Sequence, residues 1–223
     1  MRKLYLVSTP IGNYEDISLR AINILSSVNF IICEEFKEAR RLLSNLKIEK
    51  TLFSLNEHNE KESSEELLQK ILAGETAALI SDGGTPVFSD PGNYLVNLCI
   101  NNNVEVIPIA GANSLMLALI GSGFGLKNFY YSGWLSPKKE IRQKEMYELK
   151  KKKELIILME TPYRLKALLS DVVKIFGGKT RCVIAFQLTM SDEKYYRGSA
   201  EELLKIAEEK KLKGEFVFII NNK

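Results

Sequence analysis

Short apolar runs alternate along the chain with stretches in which apolar positions recur every three or four residues, and these two periods identify strands and amphipathic helices respectively. The pattern predicts strands at 3–8, 29–33, 51–54, 76–80 and 104–108, separated by helices at 19–27, 38–46, about 64–72 and 93–100. Regular βα alternation of this kind makes a parallel sheet covered by helices. After a further apolar helix at 114–120, Gly121, Gly123 and Gly125 interrupt the rhythm. Beyond them come strands at 129–133, 155–159, 182–188, 195–198 and 216–220, with helices at 138–152, 162–176 and 200–210. The expected fold is therefore two α/β domains: an N-terminal domain over 1–119 with a mostly parallel sheet, and a C-terminal domain over 120–223 with a mixed sheet. No fixed-period repeat appears, which excludes a solenoid.

Composition narrows the chemistry. The single histidine, His58, leaves no multi-histidine metal site, and every histidine-based triad would have to pass through that one residue. Cys33, Cys99 and Cys182 lie far apart among apolar or small neighbours, a pattern of buried thiols rather than of a disulfide framework or metal knuckle. The start turns polar at Ser8 and Thr9, too early for a signal peptide, and no apolar run approaches membrane-spanning length, so a cytoplasmic protein without metal or membrane is expected. The net charge of +3 gives only a weak overall field, but 136–154 carries eight basic and four acidic side chains, either a solvated helix face or a phosphate-facing surface.

Two phosphate motifs fail on inspection. Gly177-Gly178-Lys179-Thr180 ends a helix instead of opening one, so it reads as a turn, and no dinucleotide glycine fingerprint follows the first strand. The informative segment is Ser81-Asp82-Gly83-Gly84-Thr85-Pro86-Val87-Phe88-Ser89-Asp90-Pro91-Gly92, directly after a strand. Paired glycines let main-chain groups approach a ligand with no Cβ in the way, with a carboxylate and a hydroxyl beside them. Asp90-Pro91 is expected to cap the helix that follows. The segments 9–13, 34–35 and 110–114 also follow strands, so four loops are expected to converge on one crevice.

These residues resemble the tetrapyrrole methylase superfamily and, within it, the RsmI-like ribosomal RNA methyltransferases. The resemblance rests on Thr9-Pro10-Ile11-Gly12-Asn13, Leu55-Asn56-Glu57-His58-Asn59-Glu60, the 81–92 loop, Gly133-Trp134-Leu135 with Lys138 and Arg142, Glu160-Thr161-Pro162-Tyr163-Arg164 and Lys213-Gly214-Glu215, in that order nearly end to end. It implies an S-adenosylmethionine-dependent methyltransferase with the cofactor between its domains, a homodimer, and a cytidine ribose 2′-hydroxyl of small-subunit ribosomal RNA as acceptor. A tetrapyrrole or other small-molecule methylase, or a non-catalytic paralogue binding cofactor or RNA, is the alternative. Carried over, Pro10, Asp82, Gly83, Thr85, Pro86, Ser114, Leu115, Met159, Thr161 and Leu188 bind cofactor, while Lys138 and Arg142 bind RNA. Glu34, Glu35, Glu160 and Arg164 are the catalytic candidates: a carboxylate to take the hydroxyl proton and a cation to offset developing charge. For Glu34 and Glu35 a helix N-terminus favouring acids, and for Glu160 and Arg164 a structural helix pair, are the plainer readings. His58 reads as a loop residue and Trp134 as interdomain core. The chain departs from the pattern at Phe186-Gln187-Leu188-Thr189-Met190, which replaces Arg-Glu-Leu-Thr-Lys, and at Glu35-Phe36-Lys37, which replaces Asp-Thr-Arg.

Overall fold

A computed structural model describes residues 2–223; Met1 lies outside the described residues. The chain divides into two compact units, Met1–Asn113 and Ser114–Lys223.

In the first unit, β1 (Lys3–Val7), β2 (Phe30–Cys33), β3 (Thr51–Ser54), β4 (Ala77–Ile80) and β5 (Glu105–Ile109) form one sheet in the order β3-β2-β4-β1-β5. These strands pair in parallel throughout. Helices α1 (Leu19–Ser27) and α2 (Phe36–Leu46) pack against Ile31, Cys33, Ala78 and Ile80, whereas α3 (Glu60–Leu72) and α4 (Asn93–Asn101) pack against Phe30, Ile32, Ala77 and Leu79. Alternate strand residues thus serve opposite faces, which is why these strands read as unbroken apolar runs.

The second unit contains β6 (Phe129–Trp134), β7 (Leu155–Glu160), β8 (Arg181–Phe186), β9 (Lys194–Ser199) and β10 (Phe216–Asn221), ordered β6-β7-β10-β8-β9. Strands β6 and β7 run parallel and the other pairs antiparallel, so the sheet is mixed as expected. Helices α6 (Lys139–Lys150), α7 (Leu165–Ile175) and α8 (Ala200–Glu209) cover one face, and α5 (Ser114–Ser122) covers the other through Ala118 and Leu119. Since α5 buries its apolar side on β8 and β10, the division falls at 113/114 rather than at 119/120, ahead of the glycine cluster rather than at it.

Smaller expectations also resolve. The Gly177–Thr180 segment is a turn, with Thr180 N donating to Gly177 O and Gly177 at φ +105°. All three cysteines are free and buried, and burial pushes the Cys33 and Cys182 thiols up to about 12 and Cys99 up to about 11. Trp134 is not core: it is 47% exposed on the edge strand β6.

Candidate functional site

The carboxyl ends of β1 and β4 are neighbours, and there the helices change sides: α1 follows β1 over one face and α4 follows β4 over the other. Loops leaving such a pair of strands diverge and leave room for a ligand. The sequence places two of its glycine-containing segments, 9–13 and 81–92, at this switch point.

Short ties hold the rim together. Thr9 and Gly84 exchange both main-chain hydrogen bonds, at 2.8 and 3.1 Å. Thr85 Oγ1 donates to Ala112 O at 3.3 Å and accepts from Ser8 Oγ at 3.4 Å and Asn113 Nδ2 at 3.2 Å, joining the segments after β1, β4 and β5. Asp82 Oδ1 accepts from Glu35 N at 3.3 Å, which brings in the segment after β2. All four predicted loops therefore meet. A Cβ added at Gly111 would lie 2.8 Å from Ser8 Cβ, so only glycine lets these two segments pass so closely. Val87 and Ser89 hold φ of +70° and +69°, a left-handed conformation that a β-branched residue such as Val87 avoids, so the 81–92 loop carries backbone strain.

The rim is acidic. Desolvation, together with the neighbouring carboxylates of Asp82, Asp90, Glu57 and Glu35, raises Glu34 above the ordinary carboxylate range. Asp82 is raised chiefly by desolvation, and Asp90 is pushed up to about 6 by desolvation and by Asp82. Asp90 does not cap α4, as its position before Pro91 suggested; Gly92 occupies that position at φ +123°. Glu60 supplies the cap instead, its Oε1 accepting from Gly92 N at 2.8 Å and Tyr94 N at 3.2 Å. Nothing in the local sequence marked Glu60 for this, because the partner lies a whole helix away. Asp90 is left to the hydroxyl of Ser81.

Of the predicted residues, Pro10, Glu34, Glu35, Asp82, Gly83, Thr85 and Pro86 belong to these tied loops, with Pro86 buried and the Thr85 hydroxyl occupied by its loop partners. Ser114 and Leu115 open α5 in the second unit. Met159, Glu160, Thr161 and Leu188 gather at one end of the second sheet, where Phe216 pairs with both Glu160 and Phe186. The Tyr131 hydroxyl meets Met159 Sδ at 3.1 Å there.

Two candidates change their roles. Arg142 is 6% exposed, with Nε donating to Asp171 Oδ2 at 2.8 Å and Nη1 to Pro137 O at 3.2 Å. It cannot reach RNA phosphate, because its helical position faces the core beside Met146; Lys138, one turn earlier, is exposed. Glu160 is 2% exposed, with Oε2 paired to Arg164 Nη2 and Oε1 accepting from Thr161 N at 2.7 Å. Arg164 Nη2 also donates to Leu135 O at 2.8 Å. With both oxygens engaged, Glu160 serves as a clamp on the start of α7, the structural alternative at its four-residue spacing from Arg164. His58 is exposed in a turn built by Asn56 and Asn59.

The model of the family Tetrapyrrole (Corrin/Porphyrin) Methylases matches residues 3–204. The chain belongs to this family. Among relatives within the tetrapyrrole methylases, a Ribosomal RNA small subunit methyltransferase I from Synechocystis sp. is 40% identical over 217 residues, covering 97% of this chain and 78% of the relative. The protein of the same name from Thermotoga maritima is 36% identical over 223 residues, the whole of both chains. The crystal structure of uroporphyrin-III C-methyl transferase from Thermus thermophilus complexed with S-adenyl homocysteine matches with a TM-score of 0.67 at 16% identity, over 98% of this chain and 96% of that one. That likeness shows a shared fold. Departures from the family pattern at Phe186 and Gln187 are accommodated locally: Gln187 N donates to Glu215 O at 2.8 Å, and Gln187 Oε1 accepts from Glu215 N at 3.2 Å.

Proposed function

We propose that this chain transfers a methyl group from S-adenosylmethionine to the 2′-hydroxyl of a cytidine ribose in small-subunit ribosomal RNA, as a cytoplasmic homodimer. The observation that carries the reading is the end-to-end match to proteins named Ribosomal RNA small subunit methyltransferase I, which extends over the whole of both chains for the Thermotoga maritima relative. Among the described residues no helix is long and apolar enough to cross a membrane. Exposed Met116 and Ile120, one turn apart on α5, offer an apolar face for a second copy.

The rim suits the cofactor. Gly83 leaves a notch in which a Cβ would sit 3.5 Å from Pro10 O, a cradle of main-chain groups of the kind that accepts a close-lying ligand. Pro10, Asp82, Gly83 and the main chain at Thr85 would hold S-adenosylmethionine from the first unit. Its sulfonium supplies an already activated methyl, so the protein's part is to position the acceptor and take its proton. Glu34 suits proton removal, because its raised carboxyl is a stronger base than an ordinary glutamate and its charged neighbours are all acids. Lys138 remains the phosphate contact of the second unit.

The test is transfer of labelled methyl from S-adenosylmethionine to small ribosomal subunits lacking the modification, followed by nuclease mapping. Label on a ribose 2′-oxygen of cytidine is expected. Label only on a tetrapyrrole or other small acceptor, with RNA inert, overturns the proposal, and cofactor binding without turnover on any acceptor points to a non-catalytic paralogue. Asp82→Ala should weaken cofactor binding in the same preparations.

A further inference from the structure

The acidic rim poses a problem for an enzyme acting on a polyanion. Glu34, Asp82 and Asp90 are raised first by desolvation and then by neighbouring carboxylates, and the same concentration of negative charge repels phosphate. Attraction has to come from nearby. Helix α2 begins one residue after Glu35 and runs about 16 Å away from the rim. Residues 36, 40, 43 and 44 fall at three- and four-residue spacing on one of its faces, Lys47 follows at its C-terminal end, and between these residues and the edge strand β3 lies a cavity of about 770 Å³. Its charged lining is Arg40, Lys47 and Lys50 against Glu49. Phe36, 39% exposed, stands at the end nearest the rim with the Arg40 guanidinium 5.5 Å from its ring centroid.

We propose that this cavity is an RNA-contact site that holds a single-stranded segment of the substrate, phosphates on Arg40 and Lys47 and a base against the Phe36–Arg40 pair. The inference rests on the function proposed above. Exposed aromatic and guanidinium groups stack on unpaired bases, and the neighbouring cations neutralise backbone charge. Lys50 is partly committed, its Nζ donating to Val28 O at 2.7 Å, so it adds field rather than a free contact. Continuity of the stripe with Glu34 and Glu35 sets the bound strand beside the carboxylates instead of on them.

The experiment compares the wild-type chain with Arg40→Gln/Lys47→Asn, asparagine being chosen because Lys47 sits at φ +56°, which it tolerates. Affinity for small-subunit ribosomal RNA is measured across a salt series, with methyl-transfer kinetics and S-adenosylmethionine affinity in parallel. Loss of two phosphate contacts should lower the slope of log K against log salt by about 1.5 and raise the KM for RNA about tenfold, with kcat and cofactor affinity unchanged. Phe36→Ala should weaken RNA binding about tenfold without altering that slope. Arg40→Lys/Lys47→Arg should restore the slope. An active double variant with wild-type slope and KM overturns this inference alone; an acidic polypeptide that binds the cavity, with RNA indifferent to the variants, does the same. A wild-type chain that neither binds nor methylates RNA overturns the proposed function and this site with it.

Discussion

The two units treat their acidic side chains in opposite ways. In the second unit Asp171 and Glu160 are almost fully buried, and each is matched to an arginine and a further hydrogen-bond donor. In the first unit Glu34 and Asp82, just past strand ends, and Asp90, ahead of α4, are raised first by desolvation and then by neighbouring negative charge. Buried charge that is paired maintains a fold, because removing either partner strands the other in a low dielectric. Like charge gathered at loop ends destabilises the fold slightly and leaves groups poised to exchange protons. The difference separates residues that look alike in a sequence: Glu34 and Glu160 both end an apolar strand, yet Glu160 has both oxygens engaged by Thr161 and Arg164, whereas Glu34 sits among other acids.

The largest effect should follow from breaking the first unit's side of this contrast. Glu34→Gln removes the proposed base, and kcat for methyl transfer to RNA should fall about 10²- to 10⁴-fold. Stability should hold or rise, since one of several mutually repelling charges is gone; urea unfolding beside single-turnover kinetics separates the two. An unchanged kcat would remove Glu34 from the reaction. Arg142→Ala should do the reverse. It leaves Asp171 buried with only Gln143 as a donor, and the cost should be about 3–5 kcal/mol of stability. The RNA salt slope should stay at its wild-type value in that variant, whereas Lys138→Ala should reduce it by about 1. Glu160→Gln should cost less, about 1–3 kcal/mol, because Arg164 keeps Leu135 O and partial access to water. If Glu160→Gln instead abolished turnover at full stability, the clamp assignment would be wrong.

Much of this architecture is legible in the sequence because it rests on local signals. The apolar runs at Phe30 to Cys33 and Ala77 to Ile80 are strands buried on both faces, and the pair Gly83-Gly84 marks the loop that touches Pro10 and Thr9. What local signals could not supply is where side chains go across long sequence separations. Arg142 lies in a basic segment and reads as an RNA ligand; only its pairing with Asp171, from another helix, shows that it turns inward. Glu60 falls in the polar 55–60 segment ahead of the helix expected from about 64; in the structure it opens α3, and its capping role shows only when α4 is brought against it. The division between the units lies away from the glycines for a related reason. Glycines interrupt a pattern visibly, but the assignment of α5 depends on its contact with β8 and β10, far along the chain.

The smallest effect concerns Asp90, and its sign is distinctive. Its folded-state carboxyl titrates near 6, above the ordinary value of 3.8, because burial and Asp82 disfavour the charged form. Between these two values the folded chain holds a proton that the unfolded chain has released, so folding is favoured at low pH and that advantage disappears as pH rises through about 6. Asp90→Asn should therefore abolish the fall in stability that Asp90 contributes between about pH 4 and 6, and leave the chain somewhat more stable at neutral pH. Thermal melts of both proteins between pH 4 and 8 test this directly. Parallel curves would mean that Asp90 is solvated in the folded protein, and the crowding of acids at the rim would then reduce to Glu34 and Asp82.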